Sequence, residues 1–446
     1  MENLKVAFVA ILRTTFDITL AQTLVAAART RLMDAGFALV GAAEPVTTLA
    51  EAQAAAEALT NTHADLLIIF QSTFADSSMV LACARAVDLP LLLWAVPEAH
   101  TGERLRLNSL CGINLAGHAL RRAGYRYAHV YAAPSDPAAI DAVHTQAAAG
   151  HVRRKLRQTR IGRVGEHPAG FETCAVDTVG VRERFGIEIA QIDLRTGLFD
   201  SMRAAPQAAT DAAVRDLAKN VVGLETMDVA ATRGTLSAYV ALQDMAATQR
   251  IDGFAVRCWP EFFTEMGCAA CGAMSLLSNA MIPCSCEADV NGTITQFILQ
   301  TLSGAPAFGT DIVSVDQAAD ALVVWHCGLA PLSMADPLAD AGVTIHSNRK
   351  LPLLLEFPLK PGRVTIARLS EATGSYRLVV GSGEIVRGVK PFSGTCGLLH
   401  FERPAAHILD SILSEGLEHH ISLTYGDHRP ALQALAHMLD LPVLML

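Results

Sequence analysis

The sequence predicts an α/β protein: two doubly wound domains with parallel sheets, followed by a β-rich, barrel-like C-terminal domain. Three observations predict it. Continuous apolar runs such as Asp65–Phe70 and Leu91–Ala95 have the length and character of strands buried on both faces. Helical periodicities separate these runs, and regular alternation of the two implies βαβ units. After Pro306 the pattern changes to short β-rich pieces divided by Gly and Pro turns, as in antiparallel sheets and small barrels. The expected domains are 1–158, 159–306 and 307–446. A chain of 446 residues, 51% hydrophobic and 18% charged, has enough apolar surface for two or three packed cores and is unlike a disordered segment.

In the first domain, strands are expected at Lys5–Leu12, Ala38–Gly41, Asp65–Phe70, Leu91–Ala95 and Tyr127–Tyr131. Helices are expected at Ile18–Ala35, Thr48–Leu59, Ser77–Val87 and Leu110–Ala123. The turn after the first strand reads Ala10-Ile-Leu-Arg-Thr-Thr-Phe16, without the Gly-x-Gly-x-x-Gly of a dinucleotide site. A long helix, Ala138–Thr159, crosses to the second domain, and its basic end (Arg153, Arg154, Lys155, Arg157) reads as a solvated face. The second domain is expected to contain a strand at Arg160–Gly165, a loop at His167–Phe171 and a helix at Gly234–Thr248. Strands at Gly253–Arg257 and Met281–Pro283 and a helix at Val290–Leu302 complete it. The third domain should hold strands at Ala321–His326, Val343–His346, Leu351–Phe357, Arg363–Leu369 and Tyr376–Glu384. It closes with a strand at Ile421–Tyr425, a helix at Arg429–Leu439 and a last strand at Leu441–Leu446.

A net charge of −9 without a basic block excludes nucleic acid as the expected partner. No apolar run reaches the roughly 20 residues of a membrane span. The opening Met1–Ala10 reads as a first strand rather than a signal peptide. Ten scattered cysteines then indicate reduced thiols and a cytoplasmic protein.

Chemistry gathers outside the carboxyl ends of neighbouring parallel strands. One apolar run ends in Arg257-Cys-Trp-Pro-Glu261, the other in Cys284-Ser-Cys-Glu287-Ala-Asp289. If the two strands are neighbours, Glu261 lies beside Glu287 and Asp289, in position to hold a divalent metal and move protons on a sugar. Glu287 and Asp289, two apart on an extended segment, should face the same way. Asp289 also reads as the N-cap of the following helix. His419-His420, opening a strand after a Gly turn, can present an imidazole to a metal or sit at the surface. His326, in Trp325-His-Cys-Gly328, can polarise a substrate oxygen or be a buried, internally bonded histidine. Carboxylates with one imidazole suit Mn²⁺, with Co²⁺ or Mg²⁺ as substitutes. A Cys₄ zinc site from Cys268, Cys271, Cys284 and Cys286 is the weaker reading, because small buried thiols explain those positions. Neither a Gly-x-Ser-x-Gly elbow nor a P-loop is present.

With these residues assembled, the chain resembles the L-fucose isomerase and L-arabinose isomerase superfamily, in particular its shorter fucose-isomerase-like members. Arg257–Glu261 is similar to the family's first metal-ligand segment and Cys286–Gly292 to the segment supplying the second carboxylate. Trp325–Gly328 is similar to a recurrent His-Cys-Gly element, Gly416–His420 to the ligand-histidine segment, and Asn108–Gly112 to an N-terminal-domain loop. The chain is shorter than full-length fucose enzymes, and it carries both Glu287 and Asp289 where the family's branches differ over which acid binds metal.

The resemblance implies a Mn²⁺-dependent aldose–ketose isomerase working on an open-chain sugar through a cis-enediolate. It implies Glu261 and Asp289 as the catalytic carboxylates. It implies Glu261, Glu287, Asp289 and His420 as the metal-binding set, with Asp289 and His420 favoured over their neighbours. It also implies a ring-like homo-oligomer, trimer or hexamer, in which Arg13, Asn108 and Ser109 of a neighbour reach substrate alongside His326 and His419. The sugar can be deoxy, pentose or anionic, for instance a 6-sulfonated hexose, for which Arg13, His167, Arg349 and Lys350 are candidate cations. The competing expectations are a sugar-binding or regulatory protein that kept the fold without catalysis, or another metal-enolate enzyme such as an epimerase.

Overall fold

The computed structural model describes residues 4–446, and these divide into two compact units. The first unit comprises the chain up to Lys155 together with Pro430–Asp440. Its sheet contains β1 (Lys5–Ile11), β2 (Ala38–Val40), β3 (Leu66–Gln71), β4 (Leu91–Ala95) and β5 (Ala128–Tyr131), all parallel in the order β2-β1-β3-β4-β5. Successive side chains on a strand point to opposite faces, and two cores result. Ala7, Val9, Leu67, Ile69 and Leu93 pack under the helices Leu49–Glu57, Ser77–Ala86 and Ser109–Arg122. Val6, Phe8, Ile68, Phe70 and Trp94 pack under Ile18–Asp34 and Pro137–Leu156. Two buried faces explain why these strands read as unbroken apolar runs.

The second unit comprises Leu156–Arg429 and Leu441–Leu446. It begins with a parallel sheet of β6 (Arg160–Val164), β7 (Glu188–Ile192), β8 (Gly253–Val256) and β9 (Cys284–Ser285), ordered β7-β6-β8-β9. The remaining strands are β10 (Phe308–Asp316), β11 (Ala321–His326), β12 (Gly342–Thr344), β13 (Leu354–Pro358), β14 (Gly362–Ser370), β15 (Arg377–Val386), β16 (Thr395–Phe401), β17 (His420–Tyr425) and β18 (Val443–Met445). The antiparallel ladder β16-β11-β10-β17-β14-β15 returns to β16, closing a barrel of six strands. Closure leaves those strands without open edges. β12 and β13 extend it beside β16, and β18 beside β15.

One helix, Val290–Ser303, joins the parallel sheet to the barrel. From Val290 to Gln300 every residue is buried, so its polar groups need internal partners. Thr293 donates to the carbonyl of Phe254 on β8 (2.9 Å), and Thr295 accepts from the backbone of Leu369 on β14 (2.9 Å). Its first turn therefore carries Asp289 to the barrel wall.

The fold class is as the sequence predicts, but several elements differ. β7, β10 and β16 are absent from the sequence-based expectation, as is the helix Ala405–Ser414. β7 (Glu-Ile-Ala-Gln-Ile) is an edge strand, and β10 (Phe-Gly-Thr-Asp-Ile-Val-Ser-Val-Asp) is mostly half-buried, so neither forms a clean apolar run. The strand expected at Met281–Pro283 begins later, at Cys284. Met281 has φ +65°, and the backbone N–H of Ile282 still bonds back to Leu277, so those residues end the preceding helix.

Candidate functional site

β8 and β9 are parallel neighbours, with Phe254 opposite Cys284 and Ala255 opposite Ser285. The two acid-bearing segments therefore leave adjacent carboxyl ends, as expected. Beyond β9 the chain is not extended: Glu287 and Ala288 have φ of +58° and +55°. This turn separates the carboxylates of Glu287 and Asp289, which take different partners instead of facing one way.

Glu287 Oε1 accepts from the Trp259 indole N–H at 3.0 Å. Its Oε2 lies 3.2 Å from His419 Nε2, 3.8 Å from the Cys174 thiol and 3.9 Å from His420 Nε2. Burial alone would raise the Glu287 pKa, but bonds from His419 and Trp259 hold it below the usual value. Burial works against a charged His419, but the Glu287 bond together with the charges of Asp311, Glu287 and Asp289 outweighs it and raises the imidazole pKa. Burial pushes the Cys174 thiol well up, which keeps its proton available for Glu287. Phe171 packs edge-on against both Trp259 and His419.

Asp289 is buried and caps the helix through Gly292 N (2.8 Å). Arg368, on β14 and equally buried, grips it with two bonds of 2.6 and 3.1 Å. His420 Nδ1 approaches the same carboxylate at 2.9 Å. Burial would raise the Asp289 pKa, but the Arg368 charge and the His420 bond hold it far below the carboxylate range. With Nδ1–H donated to Asp289, His420 turns the lone pair of Nε2 toward Glu287 Oε2 and toward Asp311 Oδ1, 3.5 Å away. A carboxylate behind an imidazole is the usual support of a metal-binding histidine.

Asp311 sits on β10 just before a bulge between Ile312 and Ser314. Its Oδ1 is buried and makes no hydrogen bond. His326 Nδ1 accepts from its neighbour Cys327 N at 2.9 Å, so the ring proton is carried on Nε2. Two groups of ligand-type atoms thus meet at His420: Cys174, Glu287 and His419 on one side, Asp311 and His326 on the other. A small cavity beside them is lined by Ser285, Asp289, Gln296, His326, His420 and Ser422.

The other expected site residues lie as follows. Glu261 opens the short helix Glu261–Glu265. Its Oε2 accepts from Arg257 Nε at 2.8 Å, and it belongs to neither ligand group. Arg13, Asn108 and Ser109 lie in the first unit, at the carboxyl ends of its strands. The Arg13 backbone donates to Thr73 Oγ1 (2.8 Å), the Asn108 backbone to Glu98 Oε2 (2.8 Å), and Ser109 Oγ accepts from Val96 N (3.0 Å). The four-cysteine site does not form. Cys286 lies 2.7 Å from Cys258, while Cys271 lies 3.2 Å from Cys327, and burial raises Cys268 to about 12. Sequence reasoning missed Cys174, Asp311 and Arg368. The one available signal was Arg368, a charge in the Val364–Leu369 stretch of β14, which is otherwise apolar but for Thr365.

Comparison with known proteins completes the assignment. Residues 7–149 match the model of the fucose/sulfoquinovose isomerase N-terminal domain, and residues 356–446 that of the L-fucose isomerase C-terminal domain. A sulfoquinovose isomerase of Priestia megaterium is 31% identical over 444 residues, 99% of either chain. The chain belongs to the fucose/sulfoquinovose isomerase family. Sulfoquinovose isomerases of Alkalicoccus urumqiensis and a Clostridium species are each 32% identical over 84% of this chain and 85% of theirs. A solved periplasmic solute-binding protein from Actinobacillus succinogenes with bound D-allose aligns at 10% identity over 68% of this chain and 93% of its own, with a TM-score of 0.17, and carries no argument. Fucose/sulfoquinovose isomerases are aldose–ketose isomerases, intramolecular oxidoreductases, and this chain is one of them.

Proposed function

We propose that this isomerase interconverts a 6-sulfonated aldohexose, sulfoquinovose, with its ketose. The carrying observation is identity to sulfoquinovose isomerases along the whole chain, joined to a site in which carboxylates and one oriented imidazole converge.

The residues fit a hard divalent ion of the Mn²⁺ type. Asp311 Oδ1 is buried without a partner, facing the His420 lone pair at 3.5 Å, and a cation between them would satisfy both. Glu287, His420 and Asp311, which the two ligand groups bring together, would hold it, and Glu261 and Asp289, which lie outside those groups, are proposed to complete the set. A cation held by these residues would supply positive charge against the negative charge that builds on the substrate oxygens during isomerisation.

The chain's own residues do the rest. Isomerisation removes a proton from C2 and delivers one to C1. Arg257 holds Glu261 Oε2, which leaves Oε1 to receive the C2 proton and return it at C1. Asp289, the second carboxylate, keeps its charge through Arg368 and fixes the tautomer of His420. The Nε2–H of His326 and the His419 imidazole are donors to substrate hydroxyls. The same reading includes a cytoplasmic homo-oligomer, trimer or hexamer, in which Arg13, Asn108 and Ser109 serve a neighbour's site, and the division 1–158, 159–306 and 307–446. No helix among the described residues is long and apolar enough to cross a membrane.

The test is proton NMR in deuterated water with chelator-stripped protein, Mn²⁺ and sulfoquinovose. Ketose signals should appear only with metal present, with deuterium at C1 to the extent that the proton carried by Glu261 exchanges with solvent before its return. Glu261→Gln should cut kcat by roughly 10²–10⁴-fold. No conversion of any charged or neutral aldose sinks the reading.

A further inference from the structure

Resting on the substrate reading above, we propose that Arg349 binds the sulfonate and sets the preference for a charged sugar. The anionic end of such a substrate cannot lie among Glu287, Asp289 and Asp311, where like charges would repel it. It needs a cation at the far end of the site. His167 Nδ1 faces Arg163 at 3.2 Å, while its carbonyl accepts from Arg257 at 3.3 Å, and the Lys350 side chain is exposed. Arg13 is in the other unit.

Arg349 differs from these. It sits on a tight loop closed by His346 N to Leu351 O (2.9 Å) and Lys350 N to His346 O (2.7 Å). Its guanidinium lies over Trp259, 4.7 Å from the ring centroid, and 5.2 Å from that of Phe263. Trp259 in turn donates to Glu287. The indole therefore lies between the guanidinium and the acidic centre.

Arg163, Arg257, Arg368 and Arg377 each pair with a carboxylate, whereas Arg349, among the described residues, pairs with none. Nor does His346 neutralise it. His346 Nε2 lies 3.2 Å from Arg349 Nη1, and an imidazole nitrogen offers at most a lone pair, never a negative charge. The guanidinium therefore lacks an anionic acceptor. A sulfonate offers three acceptor oxygens and a permanent charge, which a stacked guanidinium fork receives through two parallel bonds.

The test is kcat/KM of the full-length, Mn²⁺-loaded enzyme for sulfoquinovose and for glucose, read as a ratio. Where glucose turns over too slowly, the reciprocals of the two sugars' inhibition constants are used in the same way. Arg349→Met should lower the ratio by roughly 30- to 100-fold, mainly through KM, and Arg349→Lys by about 10-fold. Arg349→Gln replaces the Met variant should that one fail to fold by circular dichroism. A ratio within about threefold of wild type in the charge-free variant overturns the assignment of Arg349, leaving the substrate reading intact. Wild-type enzyme that shows no preference for the sulfonated sugar overturns the substrate reading itself, before any variant is made.

Discussion

Arg368 shows how much of the site's chemistry is fixed by one residue. Its buried guanidinium neutralises Asp289, and Asp289 orients His420, so the setting of that imidazole depends on a charge it does not touch. Arg368→Met leaves Asp289 buried without its guanidinium countercharge. The expected cost is about 3–5 kcal/mol of stability, read in urea melts, together with weaker Mn²⁺ binding. A stability loss below about 1 kcal/mol would show that Asp289 finds other compensation. His346 gives a pH signature. Burial, with the Arg349 charge second, depresses its pKa from 6.5 to about 4. The unfolded chain therefore takes up this proton from about pH 6.5 downward and the folded chain only near pH 4. The contribution is complete above that window and is lost as pH falls through it, at most about 3 kcal/mol. Urea midpoints at pH 7 and 4.5 should fall less in His346→Gln than in wild type. At this scale the sequence shows acids and histidines at strand ends, because position alone suggests their role. It does not show Asp311 or Arg368, whose meaning comes from barrel neighbours distant in the chain.

The helix Val290–Ser303 and its flanking turns transmit the architecture to the site. The Glu-Ala-Asp-Val-Asn-Gly segment before and within its first turn is legible as a motif, but the reason for its glycine appears only in three dimensions. A Cβ on Gly292 would lie 2.5 Å from Asp289 Oδ2 and 3.1 Å from Arg368 Nη1. Both are charged atoms of a buried pair with little freedom to move. Gly292→Ala should therefore cost about 1–3 kcal/mol and lower kcat by displacing the Asp289–His420 bond, while Gly342→Ala, where an added Cβ meets only ordinary contacts at 3.7 Å, should leave stability and kcat alone. Equal effects of the two would contradict a steric role at Gly292. β7 is an edge strand and β10 a mixed one whose partners supply the burial that their own residues do not announce, and β10 carries Asp311. β16 is mostly buried, but Thr395, Gly397 and His400 interrupt its apolar run. Strands such as Leu66–Gln71 and Leu91–Ala95 are legible because nearly every residue in them is apolar.

At the scale of the molecule, a parallel sheet and a closed barrel contribute to one charged cluster. Glu287 follows β9, Asp311 and His326 come from β10 and β11, and His420 opens β17. Such a cluster carries its own electrostatic cost, since several acids crowd a buried space and Asp311 Oδ1 has no hydrogen bond to compensate. An ion held there would offset that cost and tie sheet to barrel, whereas unfolding separates groups as distant in the chain as Glu287 and His420. Linkage then requires metal to stabilise the fold, by about 2.7 kcal/mol when free Mn²⁺ is a hundred times its Kd. Calorimetry of chelator-stripped protein, titrated with Mn²⁺, should show a Tm rising with the logarithm of free metal. Asp311→Asn, which removes a charge without removing bulk, should need more metal for the same rise. A Tm indifferent to Mn²⁺ in the wild-type protein would mean that the cluster holds no ion, and the roles given to Glu261, Glu287, Asp289 and His420 as ligands would fall together.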